Sequence, residues 1–591
     1  MTPLRRLARA NGLTLDYEAP GGGTRAVPDA TLRAILEGLG VGPDSEAPDG
    51  PPPPDVMVVP EGARCHLPES LAEKPGWGIF CQLYELRSAT NWGIGDFADL
   101  SRLATICGEA GADFLGVNPL HALFLARPEH ASPFSPSNRR FLNPVYVAPG
   151  PLGCAEPAGV GALRKLNVVD YSKVLSFKLP ALRAAFDGFE GAAEFDAFVA
   201  EGGEALRLHA LFETIDAIQD RSGWPAWPEA LQDPASSEVA AIAEAEAATV
   251  RFHLWLQWVA RRQLAAAQVA ARAAGMRIGL YLDLAVGEAP DGSATWSGAA
   301  AALPGVSVGA PPDMFSQEGQ GWGLAAPSPR ELMRLDLEPF RSMIRAQVRD
   351  AGALRIDHAM ALWQLFLIPH GRPPLEGTHL RFPMARMLDV LAEESREARA
   401  VVIGEDLGWV PEGFRDAMNE ANVLSYRIVV FEQDEGGFKP ALAYPRMAMA
   451  CLSTHDLPVL AMWWRGDDVA RRREHGLVSA ADTEAHEAHR ARERTWMLAL
   501  LGLDGAPDPD APPEGLLLAA HRFIARTPCL LAGVRLADLA GPERPTNLPG
   551  VPEGGGGYPN WRPRSPTAVE DLADHPPFRS VTALMRECRP R

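Results

Sequence analysis

The segment ALRIDH, residues 353–358, is the point from which the fold of this chain can be worked out. Its apolar residues lead into charged ones with no turn signal, a pattern typical of a short strand with a charged tip. Residues two apart on a strand point to the same side, so Arg355 and Asp357 are predicted neighbours. A structural ion pair and a catalytic carboxylate that the arginine keeps ionised both fit this pattern. The remaining strand ends are needed to choose between them.

Eight short apolar segments alternate with helical patterns along the chain, as in a parallel barrel. The predicted strands are Gly78–Leu86, Asp113–Asn118, Arg277–Leu284, Ala353–Ile356, Ala400–Ile403, Ser425–Phe431, Ala448–Leu452 and Thr527–Ala532. The predicted helices are Phe97–Ala110, Arg251–Ala274, Glu331–Asp350, Phe382–Ala398 and Pro411–Ala421. We therefore expect an α/β fold, a (β/α)8 TIM barrel with helical insertions at its C-terminal face.

The 591 residues exceed the length of a simple barrel, so additional segments are expected. Residues 3–12 and 28–40 have helical spacing, and the proline-rich stretch 42–54 predicts a stiff linker. We expect residues 1–55 to form a small N-terminal helical module with this linker, and residues 56–591 to form the barrel. Within the barrel, the regions at about 150–250 and 465–505 are too long for connecting loops, which predicts helical insertions.

Composition excludes several classes of partner. The formal net charge is -19 and no basic block occurs, which argues against nucleic acid and anionic membranes as partners. The seven cysteines form no CxxC pair, which favours a reducing compartment. The N-terminus lacks the apolar core of a signal peptide, and the apolar stretch 516–534 is interrupted by charged residues. A soluble, cytoplasmic protein is expected.

Two familiar motifs occur in contexts that argue against their usual functions. GIGDFA (93–98) fits the dinucleotide pattern, but a polar loop separates it from the preceding strand, so a turn with Asp96 capping a helix is expected instead. GVSVG (305–309) fits the serine elbow, but the prolines that follow cannot begin a helix. Ser307 is predicted to be a loop serine.

Acidic residues occur at the C-terminal ends of four of the predicted strands, at Asp283, Asp357, Glu405 and Asp456. In a barrel these strand ends surround one cavity, and grouped carboxylates repel one another, so packing alone does not explain them. Such a group suits hard metal ions or glycoside chemistry. The acids are isolated and lack DxD spacing, which favours glycoside chemistry, and no metal is expected. Asp357 beside Arg355 then fits an ionised nucleophile, and Glu405 fits an acid with a raised pKa.

Longer motifs occur along most of the chain. They are CQLYELRSATNWGIGDF (81–97), SPFSPSNRRFLNPVYV (132–147), GLYLDLAVG (279–287), GAPPDMFSQEGQGWGL (309–324), LRIDHAMALW (354–363), VIGEDLGWVP (402–411), STHDLP (453–458) and NLPGVPEGGGGYPNW (547–561). In combination they resemble the amylomaltases, the bacterial 4-α-glucanotransferases of the α-amylase superclass, from about Gly76 to Arg564. The N-terminal module also resembles that of the longer enterobacterial-type members.

This resemblance implies a set of site residues. Asp357 is expected to be the nucleophile, Glu405 the acid/base and Asp456 the third carboxylate. The segment 309–324 is expected to arch over the cleft. The family commonly has tyrosine in SPYSP where this chain has Phe134, so a ring for stacking is kept and the hydroxyl is lost. The substrate contacts implied by the resemblance are Arg355, His358, His455, Asp283, Asp313, Trp322 and Phe134.

The resemblance implies transfer of α-1,4-glucan segments by a retaining double displacement through a glycosyl-enzyme, without a cofactor. The expected substrates are malto-oligosaccharides and glucans derived from starch or glycogen, handled by a monomer or homodimer. Retention predicts a separation of about 5–5.5 Å between the carboxyl groups of Asp357 and Glu405. An α-glucan hydrolase with the same carboxylates and a non-catalytic glucan-binding protein are the alternatives, since the carboxylates alone do not separate transfer from hydrolysis.

Overall fold

The computed structural model of the chain describes residues 1–18, 23–42, 45, 56–219, 223–312, 318–542, 544–551 and 557–591. Its centre is a closed barrel of eight parallel strands. In chain order they are β1 (Gly76–Cys81), β2 (Phe114–Val117), β3 (Gly279–Leu284), β4 (Ala353–Ile356), β5 (Val401–Gly404), β6 (Val423–Ile428), β7 (Ala448–Cys451) and β8 (Leu531–Arg535). Pairing of β8 with β1 closes the barrel. The predicted (β/α)8 barrel is confirmed, with each strand in a predicted segment or overlapping it.

The barrel strands are buried along almost their whole length, which explains their continuous apolar sequences. Inside the barrel, a Cβ on Gly78 would lie 2.4 Å from the Phe114 ring, so glycine lets this ring pack against β1. The predicted strand ends with the largest errors are the end of β1 and the start of β8. Residues 83–85 form a 3-10 turn held by a capping box between Gln82 and Glu85, and β8 begins at Leu531 rather than at Thr527.

Helices pack around the barrel and fill the connections between its strands. Outside the two expected insertions they are Glu69–Glu73, Phe97–Glu109, Ala247–Ala273, Ser293–Trp296, Pro329–Arg334, Glu338–Val348, Met384–Ala398, Phe414–Glu420, Leu460–Arg465, Leu516–Ala525, Leu536–Ala540 and Pro576–Cys588. Asp96 caps the helix that follows it, as predicted. The single helix predicted at 331–350 was wrong. Asp336 and Leu337 adopt positive φ angles of 48° and 60°, which end one helix and begin the next.

Both regions expected to be insertions contain helices. The first holds Val160–Arg164, Tyr171–Asp187, Ala193–Ile218, Glu229–Gln232 and Ser237–Ala245, and the second holds Asp467–Glu474 and Ala480–Leu501. None of the helices in the described part of the chain combines the length and apolar character that a membrane crossing requires.

A four-stranded antiparallel sheet lies beside the barrel, in the order Thr378–Arg381, Gln364–Pro369, Val306–Ala310 and Gln320–Leu324. Ser307 lies on one of these strands, so its prediction as a loop serine was wrong. The elbow motif is paired in the sheet along both edges and does not turn into a helix.

The N-terminal residues contain the helices Pro3–Ala10 and Asp29–Gly38 and a hairpin of the strands Asp16–Glu18 and Thr24–Ala26. Apolar residues of this segment belong to the same buried cluster as residues of the barrel strands and of the helices around them. Most of the predicted linker 42–54 lies outside the described residues. The domain boundary at residue 55 therefore stays a prediction.

Arg589 links the two strands at which the barrel closes. Its buried guanidinium donates to the carbonyls of Gly76 at the start of β1 and of Cys529 just before β8, at 3.0 and 2.9 Å. It also donates to the carbonyls of Ala525 and Thr527, each at 2.9 Å. One side chain therefore satisfies several buried carbonyls at the closure.

We predict that Arg589→Met lowers the free energy of unfolding by about 3 kcal/mol, because several buried carbonyls lose a charged donor. Urea unfolding followed by circular dichroism measures this change. The matched control is Arg579→Met on the C-terminal helix that precedes Arg589, where the arginine is exposed. Equal stability of the two variants would contradict the role given to Arg589.

Candidate active site

The site lies where β3, β4 and β5 end side by side. In the strand register, Arg355 pairs with Asp283. Asp357 and Glu405 each follow the last paired residues of β4 and β5. Neighbouring strands are about 4.8 Å apart, so this register alone places their side chains together.

A single buried guanidinium lies within 4.0 Å of all three of these carboxylates. Arg355 Nη1 lies 2.6 Å from Asp283 Oδ1, and Nη2 lies 2.9 Å from Asp357 Oδ1. The same Nη2 lies 4.0 Å from Glu405 Oε2. The cation thus offsets part of the repulsion among the carboxylates, most strongly for the two that it contacts directly.

Backbone geometry fixes the orientation of Glu405. The N–H of His358 donates to Glu405 Oε2 at 2.8 Å, and the N–H of Leu407 donates to Oε1 at 2.7 Å. His358 adopts a left-handed conformation with φ of 49°, which costs energy for a non-glycine residue and is typical of functional sites. A Cβ on Gly404 would lie 3.0 Å from the Ala359 side chain, so glycine lets the turn after Asp357 approach β5.

The environments of the carboxyl groups give them different pKa values. Burial raises the pKa of Glu405 to about 7, with a further rise from Asp357, although Arg355 and the backbone N–H groups act in the opposite direction. Burial likewise raises the pKa of Asp283 to about 6 despite the attraction of Arg355. Removal from solvent lowers the pKa of the His358 imidazole to about 4, so it is neutral near pH 7.

Asp456 lies in the loop that follows β7. Its Oδ1 accepts a hydrogen bond from Asn547 Nδ2 at 2.6 Å, and its Oδ2 lies 3.2 Å from His455 Nε2. The surrounding protein removes part of its solvent, which raises the pKa, but His455 and Asn547 outweigh this and lower the pKa to about 2. Arg535 at the end of β8 supports the arrangement by donating to the carbonyls of Thr454 and Leu457.

Aromatic rings border the site on two sides. Phe134 stacks on His455, with centroids 4.5 Å apart and 18° between the planes. Trp561 lies against both rings, at 5.4 and 5.6 Å. On the other side Trp322 meets the edge of His358 at 5.3 Å.

Nine of the ten site residues predicted from the sequence lie in the described part of the chain, and the contacts above connect them into two groups. Asp283, Arg355, Asp357, His358, Glu405 and Trp322 form the group around Arg355, while Asp456, His455 and Phe134 form the other. The two groups interact electrostatically, because His455 acts on Asp283 and Arg355 acts on Asp456. Asp313 lies outside the described residues.

Asn547 and Trp561 were not singled out from the sequence, although both lie in the motif 547–561 that carries part of the resemblance. The structure also shows that Glu405 and the adjacent Asp406 have different roles. Asp406 is buried and accepts from Ser425 Oγ at 2.5 Å and from the Tyr426 N–H at 2.9 Å, so it joins β5 to β6.

Comparison with known proteins identifies the family. A family model described as 4-alpha-glucanotransferase matches residues 81–568. The chain belongs to the 4-alpha-glucanotransferase family. The 4-alpha-glucanotransferase of Mycobacterium tuberculosis is 38% identical over 537 residues, which cover 86% of this chain and 73% of the relative. That of Haemophilus influenzae is 33% identical over 533 residues, covering 84% and 76%.

Solved structures agree with this membership. The amylomaltase from Corynebacterium glutamicum superposes with a TM-score of 0.86 at 27% identity, over 98% of this chain and 99% of that one. The amylomaltase from Streptococcus agalactiae, solved in complex with acarbose, shares the fold with a TM-score of 0.71 at 17% identity, over 88% of this chain and 99% of that one. The predicted 4-α-glucanotransferase activity is confirmed, and neither the hydrolase nor the non-catalytic alternative is supported.

We predict that Arg355→Met destabilises this 4-alpha-glucanotransferase in a pH-dependent way. In the wild type the pKa values of Glu405 and Asp283 are above their ordinary values, so ionising these groups already costs stability as pH rises towards 7. Without the cation this cost grows and extends to higher pH. We expect a loss of about 3–5 kcal/mol near pH 8 and a smaller loss near pH 5.

Urea unfolding of both proteins at the two pH values measures this difference. Arg334→Met is the matched control, because Arg334 pairs with Glu331 on an exposed helix face and its loss should leave stability nearly unchanged at either pH. A pH-independent loss in Arg355→Met would mean that packing, rather than charge, is what Arg355 supplies.

Proposed function

We propose that Asp357, Glu405 and Asp456 carry out the glucan transfer by a retaining double displacement. Asp357 attacks the anomeric carbon of an α-1,4-glucan while Glu405 gives its proton to the departing glycosidic oxygen. The 4-hydroxyl of a second glucan then attacks the glycosyl-enzyme, with Glu405 accepting its proton. Two inversions at the anomeric carbon retain the α configuration.

One observation carries this proposal, namely the position of Arg355 Nη2 between Asp357 and Glu405. Its distances of 2.9 and 4.0 Å mean that one oxygen of Asp357 lies within about 7 Å of one oxygen of Glu405, a limit that accommodates the retaining spacing of about 5–5.5 Å. The cation is closer to Asp357, the proposed nucleophile, than to Glu405. Glu405, with its pKa of about 7, can act as acid and then as base.

Asp456 supplies the third carboxylate. With its pKa held low it remains an acceptor for sugar hydroxyls, and Asn547 and His455 fix its direction. We assign the binding of the donor sugar to the rings of Phe134 and Trp561, which lie beside Asp456 and His455. The faces of these rings suit the C–H side of a glucose ring. In this role Phe134 supplies stacking without the hydroxyl of the family's tyrosine.

Arg355, His358, Asp283 and Trp322 complete the proposed substrate contacts, together with Asp313 from the sequence. Trp322 lies on the strand Gln320–Leu324 of the segment expected to arch over the cleft. A covering segment of this kind would exclude water, which is what transfer to a sugar rather than to water requires.

We further propose malto-oligosaccharides and α-1,4-glucans derived from starch or glycogen as substrates, and the cytoplasm as the compartment. All seven cysteines are free and five are buried, which suits a reducing environment. A neutral glucan needs no charged attraction, so the acidic surface of the protein serves solubility.

We predict that Asp357→Ala and Glu405→Gln each lower activity on maltotriose by at least about 10³-fold, because each removes a group needed in the chemical step. Thin-layer chromatography of the products from maltotriose measures this, and the wild type should give glucose with a ladder of longer glucans. Asp336→Asn, at a carboxyl side chain that is 87% exposed, is the control and should keep the ladder. Near wild-type turnover in either active-site variant would disprove the assignment.

We predict that kcat/KM for maltotriose falls as pH rises through about 7, because Glu405 must be protonated to release the leaving sugar. The pH profile should change with 4-nitrophenyl α-maltoside, whose leaving group departs without a proton. The alkaline fall should be clearly weaker for that substrate. The same fall with both substrates would assign this ionisation to a group other than the general acid.

A further inference from the structure

The N-terminal segment is joined to the edge of the four-stranded sheet. The N–H of Thr14 donates to the carbonyl of His379 at 3.0 Å, and Thr378 Oγ1 donates to the carbonyl of Thr14 at 2.8 Å. The N–H of Arg381 donates to the carbonyl of Gly12 at 2.9 Å. These bonds extend the sheet by a short additional segment. The position of residues 12–14 is therefore set by pairing with the strand Thr378–Arg381.

A row of aromatic rings leads from this segment to a tryptophan that the mechanism has not used. Tyr17 meets the edge of Phe366 at 5.6 Å, and Phe366 meets the edge of His379 at 5.1 Å. His379 lies against Trp409, with centroids 5.4 Å apart and 32° between the planes. Trp409 ends this row with 40% of its surface exposed.

The orientation of Trp409 is fixed from two directions. His379 packs against its ring, and its Nε1–H donates to Glu18 Oε2 at 3.0 Å. Single exposed apolar side chains are common on protein surfaces and need no function. Here, however, both a ring contact and a hydrogen bond hold an exposed indole in place, so its conformational freedom has already been lost. Such a ring can bind a flat ligand face at little further entropic cost.

Trp409 lies in the loop that carries Glu405. The two residues are four positions apart, so their Cα atoms are at most about 14 Å apart. Leu407 between them donates its N–H to Glu405, which ties the loop to the carboxyl group. If Glu405 protonates the departing oxygen, the leaving and accepting glucans occupy its side of the cleft. Asp456 and Phe134, which we assigned to the donor sugar, belong with His455 to the second group of site residues and not to the group around Arg355 that contains Glu405.

We propose that Trp409, oriented by Glu18, is a stacking platform for a glucose ring of the acceptor glucan, in an acceptor subsite beyond the one next to Glu405. The N-terminal segment thereby takes part in selecting acceptors by length. This inference rests on the proposed role of Glu405, because that role defines the acceptor side. A short acceptor such as glucose does not reach the platform, whereas a malto-oligosaccharide does.

The test compares acceptors of two lengths. With soluble amylose as donor, transfer to radiolabelled glucose and to radiolabelled maltotetraose is measured for the whole protein. The quantity of interest is kcat/KM for maltotetraose divided by kcat/KM for glucose. We expect Trp409→Ala to lower this ratio about tenfold, the change that about 1.4 kcal/mol of lost binding produces. Trp409→Phe keeps a ring and should retain most of the ratio.

Glu18 is tested by the same ratio. Glu18→Ala removes the acceptor of the indole hydrogen bond and should lower the ratio in part, whereas Glu18→Gln keeps an acceptor oxygen and should preserve it. Leu442→Ala is the control, since Leu442 is 87% exposed, and it should leave the ratio unchanged. Thermal unfolding checks that each variant is folded. If Trp409→Ala does not fold, Glu18→Ala decides the matter by the same ratio.

An unchanged ratio in Trp409→Ala would overturn the proposal. An equal loss with glucose and maltotetraose would also overturn it, because Trp409 would then only support the loop of Glu405. These outcomes are separate from failure of the proposed chemistry. Turnover that persisted in Asp357→Ala or Glu405→Gln would refute the catalytic assignment, and the acceptor ratio of the Trp409 variants would still be measurable.

Discussion

The active site depends on one buried cation. Arg355 contacts Asp283 and Asp357 and approaches Glu405, so three acids from three adjacent strands can lie together at the end of the barrel. Without this charge, the repulsion among carboxylates removed from water would oppose the strand register that brings them there. The same register gives the site its rigidity, because Asp283 lies on a paired barrel strand and Asp357 and Glu405 each directly follow one.

Arg355 also makes two similar carboxyl groups chemically different. Asp357 is in direct contact with the guanidinium, whereas Glu405 is farther away and accepts two backbone N–H bonds. Burial then raises the pKa of Glu405 to about 7. Two acids in unequal environments are what a retaining double displacement needs, since one must stay ionised while the other exchanges a proton.

The rest of the cleft is assembled from segments far apart in the sequence. Asn547 and Trp561 come from beyond β8 and contact Asp456 and the rings beside it. Glu18 comes from the N-terminal segment and accepts a hydrogen bond from Trp409, which lies in the loop that carries Glu405. The barrel thus supplies the reacting groups, and remote segments supply the surfaces on which we expect sugar rings to bind.

The sequence by itself was enough to predict the barrel and the acidic residues at its rim. Continuous apolar runs mark buried parallel strands wherever they occur, and an acid after such a run must lie at the barrel mouth, so the positions of Asp357 and Glu405 follow from local pattern alone. Local patterns did not predict the break in the helix at 336–337, the strand that contains Ser307 or the early end of β1, because neighbouring segments decide these features. Asn547, Trp561 and the pair of Glu18 and Trp409 needed the tertiary structure. Their contacts join residues tens to hundreds of positions apart, and only closure of the barrel and docking of the N-terminal segment bring them together.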